Sequence, residues 1–538
     1  MNTLHSQSFY IPAGTVIADY LAVTGRFTAM PCGGKGICGK CRAIIKGTVT
    51  PATNVELSTL TPAQLAAGYR LLCQARSTGG EVHLSNMPDS AEISILTDAD
   101  VKIPKEDRPT ISLSTATEHY GIAFDVGTTT LVGYLVNLST GRIVGVQAQA
   151  NPQAMYGADV MSRIAFASTP TGLHTLHTQI IAALTHMAHQ LINTYDVNED
   201  QVTALSAVGN TCMHHLLLNL SPVSLGQAPY LPVQKEALHC TTAEVGFTSF
   251  TEATLWVGPI IGGFVGADAV AAACASLLRR DKQVRLLVDL GTNGEILLAA
   301  GDRLLACSAA AGPAFEGVNI SCGMRAEPGA IFAVNINNNV TWQVIGGETI
   351  PPKGLCGTGL VDALAELIRT GLVDNSGRLL DADHARSKVS TTVAARLVPT
   401  ERGLAFRLYE DDGVAVDITQ ADIRQVQLAK AAIRAAIEVL CLELNITPAD
   451  ITEVILAGAF GNFVQPKNVL RLGLLPPIPP ERIRSIGNAS GAGAVLALTS
   501  PRAIAECTLI ASMAEHIELE TNPCFQDRFI SAMGLPFS

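Results

Sequence analysis

The stretch from Tyr120 to Ile143 reads YGIAFDVGTTTLVGYLVNLSTGRI. Its first apolar run has the length of a strand and ends at Asp125, where a glycine turn follows. Two more apolar runs come next, separated by a second turn at Gly141. Apolar runs joined by tight glycine turns are typical of strand–turn–strand units, so this stretch is predicted to form three consecutive strands.

The turn after Asp125 has the composition of a phosphate-binding loop. Glycine lets several backbone N–H groups point at one anion, and threonine hydroxyls add further donors. A carboxylate at the strand end can hold hydrated Mg²⁺ together with phosphate oxygens. We therefore predict a catalytic role for Asp125 and phosphate binding by Gly127, Thr128, Thr129 and Thr130. An ordinary hairpin would explain the same residues, and this stretch does not by itself distinguish the two.

A second copy of the pattern lies further along the chain. The stretch from Val284 to Cys307 reads VRLLVDLGTNGEILLAAGDRLLAC, in which a strand-length run again ends in an aspartate, Asp289. Two Asp-x-Gly-Thr turns on matching strands indicate a duplicated domain, with two lobes that face one phosphate chain. We therefore predict a second catalytic aspartate, Asp289, and a second phosphate loop at Gly291, Thr292, Asn293 and Gly294.

The two matching stretches resemble the superfamily of nucleotide-binding folds that includes acetate kinase, sugar kinases, Hsp70 and actin. The resemblance implies that the first turn is the phosphate-1 loop and the second is the phosphate-2 loop. It also implies an adenosine loop after a later strand. The segment from Val454 to Gly461, VILAGAFG, fits that loop, with Gly458 and Gly461 at the nucleotide.

Four cysteines near the N-terminus form a different motif. The segment from Pro31 to Arg42 reads PCGGKGICGKCR, and a fourth cysteine follows in YRLLCQ. A plant-type [2Fe–2S] site has the spacing C-x4-C-x2-C with a distant fourth cysteine. Here the first gap is five residues, which resembles the adrenodoxin-like branch of the ferredoxins. The predicted cluster ligands are Cys32, Cys38, Cys41 and Cys73.

Three other interpretations of these cysteines stay open at the sequence level. A structural zinc site also takes four thiolates, although usually as two close pairs. A thioredoxin-like redox pair would explain only Cys38 and Cys41. The glycines and Lys40 also come close to a P-loop, but Cys41 stands where the Mg²⁺-binding hydroxyl should be.

Composition limits the class of protein. The chain has 538 residues, of which 48% are hydrophobic and 15% charged, which is typical of a multidomain globular protein. A net charge of −11 argues against nucleic acid or an anionic membrane surface as the main partner. We read the apolar run Leu255–Leu278 as a buried helix and its approach, because it contains Pro259 and Asp268. The odd number of cysteines, thirteen, and an N-terminus without signal-peptide features predict that the protein resides in the reducing cytoplasm.

These patterns predict an α/β multidomain fold with four parts. Residues 1–85 are expected to form a β-grasp-like [2Fe–2S] ferredoxin domain, and residues 86–118 a linker rich in acids, proline and serine. Residues 119–200 are expected to form a middle domain that begins the first ATPase lobe. Residues 201–538 are expected to form the C-terminal actin-like ATPase domain of a duplicated, two-lobed fold.

The combination of a ferredoxin domain and an actin-like ATPase domain resembles the reductive activators of corrinoid proteins. The phrases NPQAMYGADVMSRI, VGNTCMHHLLL and AGPAFEGVNISCGMR resemble that family as well. The resemblance implies an ATP-hydrolysing iron–sulfur oxidoreductase that uses a [2Fe–2S] cluster and Mg-ATP. It would transfer one electron to a Co(II) corrinoid protein and so regenerate Co(I) for methyl transfer. An upstream electron donor and a homodimer are also expected.

Three other functions fit parts of the sequence. The acceptor of the electron could be another iron–sulfur enzyme, such as a dehydratase. The chain could be a small-molecule kinase with a regulatory cluster, which would need a base near the γ-phosphate. It could also be an Hsp70-like binding module that uses nucleotide to control partner binding without transferring electrons.

Overall fold

The computed structural model of this chain is an α/β structure built around five sheets. No helix in the part of the chain that it describes is long and apolar enough to cross a membrane. The described residues are 7–23, 34, 36, 39, 41–86, 118–291, 293–347, 349–401, 403–411, 413–458 and 464–536.

The N-terminal domain is a four-stranded sheet with three short helices. Its strands lie in the order β1-β4-β2-β3, and each adjacent pair is antiparallel. The domain has its own apolar core, to which α1 contributes Ile17 and Leu21. The elements in chain order are β1 (Gln7–Ile11), α1 (Ile17–Val23), β2 (Arg42–Val49), α2 (Asn54–Thr59), α3 (Pro62–Ala66), β3 (Tyr69–Leu71) and β4 (Ser77–Ser85).

The first lobe confirms the three strands predicted from Tyr120 to Ile143. They form an antiparallel meander, and two later strands extend the sheet by parallel pairing from its first strand. The elements are β5 (Tyr120–Val126), β6 (Thr130–Asn137), β7 (Arg142–Ala150), α4 (Val160–Phe166), α5 (Pro170–Thr194), β8 (Val202–Gly209), α6 (Thr211–Leu217), β9 (Leu238–Thr241), β10 (Thr254–Val257) and α7 (Ala267–Ala275).

The second lobe begins with the same antiparallel meander. Its elements up to residue 369 are β11 (Arg285–Leu290), β12 (Gly294–Ala300), β13 (Arg303–Ala309), β14 (Ala330–Ile336), β15 (Val340–Val344), β16 (Gly354–Leu355) and α8 (Gly357–Arg369). A smaller antiparallel sheet then follows, with α9 (Ala382–Ala385), α10 (Thr391–Ala394), β17 (Leu397–Thr400), β18 (Gly403–Asp411) and β19 (Val414–Thr419). The last part of the chain contains α11 (Gln420–Glu443), β20 (Glu453–Ala457), α12 (Pro466–Leu472), β21 (Ile483–Ser485), α13 (Ala489–Thr499), α14 (Pro501–Met513), β22 (Ala514–His516) and α15 (Phe525–Ala532).

The two main sheets share one strand order, which confirms the predicted duplication. The first sheet runs β7-β6-β5-β8-β10, and the second runs β13-β12-β11-β20-β21, with β9 and β22 added at opposite ends. The domain boundary predicted at residues 200/201 falls between α5 and β8, inside the first sheet. Since β8 pairs with β5, the sheets themselves divide the chain between β10 and β11 instead.

Two helices, α7 and α13, pack against each other between the lobes. Helix α13 also packs on β5 and β8 of the first lobe, although it follows the last strands of the second. The Ser206 hydroxyl on β8 donates a hydrogen bond to the Ala494 carbonyl oxygen at 2.8 Å. The two helices approach so closely that a Cβ atom on Gly493 would lie 2.3 Å from the Ala271 carbonyl oxygen.

We expect Gly493→Ala to destabilise the protein, because the added methyl group forces α7 and α13 apart. Overpacking typically costs about 1–3 kcal/mol, and a clash with a backbone atom should lie at the upper end, above the gain in helix propensity of about 1 kcal/mol. Chemical denaturation followed by circular dichroism measures the change. Gly534→Ala is the matched control, since the nearest atoms to its added methyl group lie 3.9 Å away. An unchanged free energy of unfolding in Gly493→Ala would contradict this packing.

Candidate functional site

Each lobe contributes an aspartate at the end of its first strand, and we call the region where these two carboxylates meet the start of α13 the cleft. Asp125 ends the apolar part of β5, and Asp289 has the same position in β11. The start of α13 contacts both carboxylates: Asn488 Nδ2 donates to Asp125 Oδ2 at 2.9 Å, and Ser490 Oγ donates to Asp289 Oδ2 at 3.4 Å. The fold therefore brings together the two aspartates that the sequence analysis selected.

Two further carboxylates, which the sequence analysis did not select, join this pair. Asp268 lies in the first turn of α7, where one of its oxygens accepts a hydrogen bond from the Ala269 N–H at 2.8 Å. Glu295 lies on β12 directly opposite Asp289 in the β11–β12 ladder. Like charges directly opposite each other destabilise a sheet, so this register is itself a signal of a site.

The electrostatics of the cleft penalise negative charge on all four acids. Burial, opposed by the Asn488 hydrogen bond, raises the pKa of Asp125 to about 6. Burial and then the charge of Asp125 raise the pKa of Asp289 to about 7, and burial with both neighbouring aspartates raises that of Asp268 to about 7. Burial, Asp268 and Asp289 raise the pKa of Glu295 well above its usual range. A bound cation would relieve this repulsion.

The donor set fits a metal ion that takes most of its ligands from elsewhere. Among the described residues, no three histidine, cysteine, aspartate or glutamate side chains are placed so that they could enclose a metal ion on their own. Mg²⁺ usually keeps several waters and binds through one or two carboxylates together with phosphate oxygens. Asp125 and Asp289 supply such carboxylates, so the residues present fit a Mg²⁺ ion whose other ligands would be water and phosphate oxygens.

Hydrogen bonds within the turn and from two asparagine side chains fix the predicted phosphate-1 loop. The Gly127 N–H donates to the Thr130 carbonyl oxygen at 3.0 Å, which closes the turn. Asn151 Nδ2 donates to the Gly127 carbonyl oxygen at 2.8 Å, and Asn210 Nδ2 donates to Thr128 Oγ1 at the same distance. No side chain fits at Gly127, since a Cβ atom there would lie 2.6 Å from the Thr130 carbonyl oxygen. Gly127, Thr128, Thr129 and Thr130 all remain partly exposed.

The other two predicted loops begin at the same cleft. The Gly291 N–H donates to the Asn293 carbonyl oxygen at 3.1 Å, and Gly294 begins β12. Gly458 has a left-handed φ of +89°, and a Cβ atom on it would lie 2.6 Å from Asp289 Oδ1. Only glycine therefore lets the backbone after β20 approach this carboxylate. Thr292 and Gly461 lie outside the described residues, so their predicted contacts with nucleotide stay predictions.

The described part of the cysteine motif places two thiols side by side. Cys41 Sγ and Cys73 Sγ are 3.3 Å apart, although the two residues are separated by 32 positions in the chain. The hydrogen bond from Cys41 is the largest cause that lowers the pKa of Cys73, to about 7, and a contact with Gln74 contributes to the same shift. A thiol that ionises readily suits a ligand of iron. Cys32 and Cys38 lie outside the described residues, so their part in the site stays a prediction.

A buried ion pair fixes the strand that leads to Cys73. Glu56 is fully buried and accepts two hydrogen bonds from the Arg70 guanidinium, at 2.8 and 2.9 Å. The same carboxylate accepts the Leu71 N–H at 2.9 Å. Beyond Cys73, Gln74 Nε2 donates to the Gly34 carbonyl oxygen at 2.6 Å, which connects this strand to the glycine-rich loop. The two described thiols and the loop thus have a rigid support.

Comparison with known protein families matches all three parts of the chain. Residues 3–78 match the 2Fe-2S iron-sulfur cluster binding domain. Residues 120–281 match the RACo middle region, and residues 283–538 match the C-terminal domain of RACo, described as the ASKHA domain. The division between the last two families agrees with the division between the two main sheets.

Curated relatives and a solved structure extend the likeness over most of the chain. The chain is 37% identical over 417 residues to "Corrinoid activation enzyme RamQ" of Eubacterium limosum, covering 76% of this chain and 69% of that protein. It is 28% identical to the "[Co(II) methylated amine-specific corrinoid protein] reductase" of Methanosarcina barkeri, covering 77% of each. The solved structure of a "Reductive activator for corrinoid,iron-sulfur protein" matches with a TM-score of 0.70 and 28% identity, covering 98% of this chain and 97% of that chain.

We expect Asp289→Asn to stabilise the nucleotide-free protein, and to do so more strongly at pH 8 than at pH 5. The folded state raises the pKa of this carboxyl to about 7, so the unfolded chain loses the proton first and the free energy of unfolding falls as pH rises towards 7. The gain at pH 8 should be on the order of 2 kcal/mol, less than the full shift implies because the side chain is partly open to water. Urea unfolding at both pH values measures it.

Asp527→Asn, at an exposed position of α15, is the control for this substitution. It should leave the pH dependence as it is in the unmodified protein. Equal effects of Asp289→Asn at pH 5 and pH 8 would show that the cleft does not penalise the ionised carboxylate.

We expect Cys73→Ser in the full chain to lose most of the iron and the visible absorbance of protein purified without oxygen. The unmodified chain should contain about two irons, the nuclearity of a plant-type site. Elemental analysis and absorbance spectra measure both. Cys524→Ser, which changes an exposed free cysteine, should retain the iron. Colourless protein with stoichiometric zinc would end the iron–sulfur interpretation.

Proposed function

The chain belongs to the family of corrinoid-protein activators, and we propose that it uses ATP to transfer one electron from a [2Fe–2S] cluster to a Co(II) corrinoid protein. The product is the Co(I) state, which is competent for methyl transfer. One observation carries the proposal: a single chain unites a thiol pair in a ferredoxin-type domain with a carboxylate cleft between two actin-like lobes.

In the proposed nucleotide site, Asp125 and Asp289 would hold Mg²⁺, with one carboxylate coming from each lobe. The N–H groups and hydroxyls of the phosphate-1 loop and the backbone of the phosphate-2 loop bind the phosphate oxygens. Gly458, with its close approach to Asp289, begins the loop at the adenosine. Asp268 and Glu295 can orient the attacking water, since both have a raised pKa and face the same cleft. Phosphoryl transfer needs little more than such positioning and charge neutralisation.

In the proposed cluster site, Cys41 and Cys73 provide two of the four thiolates, and Cys32 and Cys38 complete the set. When bound, a [2Fe–2S] cluster supplies a one-electron centre, with a potential near about −400 mV in plant-type sites. Gln74 Nε2 lies 3.7 Å from Cys73 Sγ, where its N–H group can stabilise negative charge on the sulfur. The cysteines therefore provide the sulfur ligands, and Gln74 helps to stabilise the negative charge on one of them.

The resemblance implies that the Co(II)/Co(I) couple of a resting corrinoid lies below the potential of the cluster. Each 100 mV uphill costs one electron about 2.3 kcal/mol. ATP can offset this cost if the two nucleotide states of the lobes bind the corrinoid protein with different affinity. We include in the proposal an upstream reductant that refills the cluster, a homodimeric assembly and a cytoplasmic location. The last is supported by the eleven described cysteines, none of which forms a disulfide bond.

The test is the appearance of Co(I) absorbance after the reduced full chain is mixed with a corrinoid protein and Mg-ATP. Cys73→Ser should abolish Co(I) formation while ATP hydrolysis continues, because cluster and nucleotide bind to separate domains. Asp125→Asn should abolish ATP hydrolysis while the cluster spectrum is retained. Cys524→Ser is the control and should behave as the unmodified chain does.

The outcome also separates the proposal from its rivals. Equal Co(I) formation by Cys73→Ser would show that the cysteine domain is not the electron donor. Reduction of an iron–sulfur dehydratase in place of the corrinoid protein would favour an activator whose electron acceptor is another iron–sulfur enzyme. Consumption of ATP that depends on an added alcohol or carboxylate would favour a kinase, and partner binding without any electron transfer would favour a binding module.

A further inference from the structure

One short segment contacts both the predicted phosphate-1 loop and the cluster domain. It runs from Asn151 to Arg163, between β7 and the first turns of α4, and we name it the linking segment. It contains a 3-10 turn, Pro152–Met155, in which the Gln153 N–H donates to Asn151 Oδ1 at 3.0 Å. Its sequence makes up nearly all of NPQAMYGADVMSRI, one of the phrases that carry the family resemblance.

The phosphate side of the linking segment consists of three buried polar residues. Asn151, Gln153 and Arg163 are each at most 1% exposed. The Asn151 N–H donates to the Thr129 carbonyl oxygen at 3.0 Å, in addition to the side-chain bond from Asn151 to Gly127. Arg163 donates to the Thr128 carbonyl oxygen, and also to Gln153 Oε1 at 3.2 Å. The segment thus holds three consecutive carbonyl groups of the phosphate-1 loop.

The charge of Arg163 is poorly compensated in this position. Its other acceptors are the Gly157 carbonyl oxygen and the Met213 sulfur, and it forms no ion pair with any carboxylate that the structure describes. Burial lowers its pKa to about 10, an effect that Cys212 and Asp159 partly oppose. It therefore stays protonated at neutral pH. A buried cation that is compensated so weakly is costly, so phosphate groups in the adjacent loop would stabilise it.

The other side of the linking segment touches the cluster domain. Met155 packs against the apolar core of that domain. A Cβ atom on Gly34 would lie 3.9 Å from the Met155 carbonyl oxygen, so the glycine-rich loop is in contact with the segment. Gly34 in turn accepts the hydrogen bond from Gln74, the neighbour of Cys73. Burial, and then the charge of Asp19 on α1, raise the pKa of Tyr156. The Tyr156 ring packs on Phe166, with 4.9 Å between the ring centroids.

We infer that the linking segment couples nucleotide binding to the docking of the cluster domain, with Arg163 and Met155 as its two positioning residues. Phosphates in the phosphate-1 loop attract Arg163 and restrain the segment, and the restrained segment presents Met155 and Tyr156 to the cluster domain. The inference rests on the proposed function, because it requires both the nucleotide and the cluster. It goes further in naming the contact through which one domain responds to the other.

Hydrogen–deuterium exchange of the cluster-loaded full chain tests this coupling. Exchange is measured without oxygen, with and without Mg²⁺ and a non-hydrolysable ATP analogue, in peptides from the phosphate-1 loop and from Leu71 to Arg76. In the unmodified chain the nucleotide should slow exchange in both peptides. Met155→Ala should keep the protection of the loop and lose that of the cluster peptide. Met161→Ala is the matched control, because Met161 lies in the same segment, is 51% exposed and should keep both responses.

Arg163→Lys tests the other end of the segment. Lysine keeps the charge but cannot reproduce the forked contacts of the guanidinium, so nucleotide affinity should fall by roughly tenfold, the effect of one charge-assisted hydrogen bond. At saturating nucleotide, protection of the cluster peptide should still be reduced. A residue that only stabilises the fold would not change that saturated response.

The result for the unmodified chain separates a failure of the coupling from a failure of the proposed function. If nucleotide protects the phosphate-1 loop and leaves the peptide from Leu71 to Arg76 unchanged, the coupling is wrong and the proposed function stands. If nucleotide protects neither peptide and the cluster is present, the nucleotide site is wrong, and the coupling and the proposed function both fall.

Discussion

The structure depends on gathering negative charge in a place where water can only partly screen it. Asp125 and Asp289 come from different lobes, Asp268 comes from a helix between them, and Glu295 lies opposite Asp289 in the ladder. Burial favours the neutral form of every one of them. A cation in such a cleft would relieve this repulsion, so cation binding and the ionisation of these four acids are linked equilibria.

The local strand pattern was sufficient to predict the two aspartates and the three-strand meanders, because these features follow from short-range periodicity. Glu295 could not be predicted from the sequence, because its position opposite Asp289 is seen only when the two strands are paired. Asp268 was noted only as a charge in an apolar run, and its place in the cleft depends on how α7 packs between the lobes. The predicted boundary at 200/201 lies inside the first sheet for a similar reason, since β8 joins the sheet by parallel pairing across a long helix.

The surroundings of the cysteines distinguish a thiol that ionises readily from thiols that only pack in the core. Burial raises the pKa of Cys212 and of Cys441 to about 12, so these thiols act as small apolar side chains. Cys73, beside Cys41, is shifted in the opposite direction. Spacing in the sequence had already set Cys41 and Cys73 apart from the scattered cysteines. What spacing could not indicate is the buried Glu56–Arg70 pair that supports them, because its partners belong to separate elements.

The position of α13 has a consequence for how the protein is made. The first lobe is synthesised early, but one face of its sheet is covered by α13, which leaves the ribosome only after most of the second lobe. Until then the nascent chain exposes apolar side chains of β5 and β8 that the finished protein buries. The packing of the first lobe is therefore completed only after α13 has been synthesised, so the two lobes are not independent folding units.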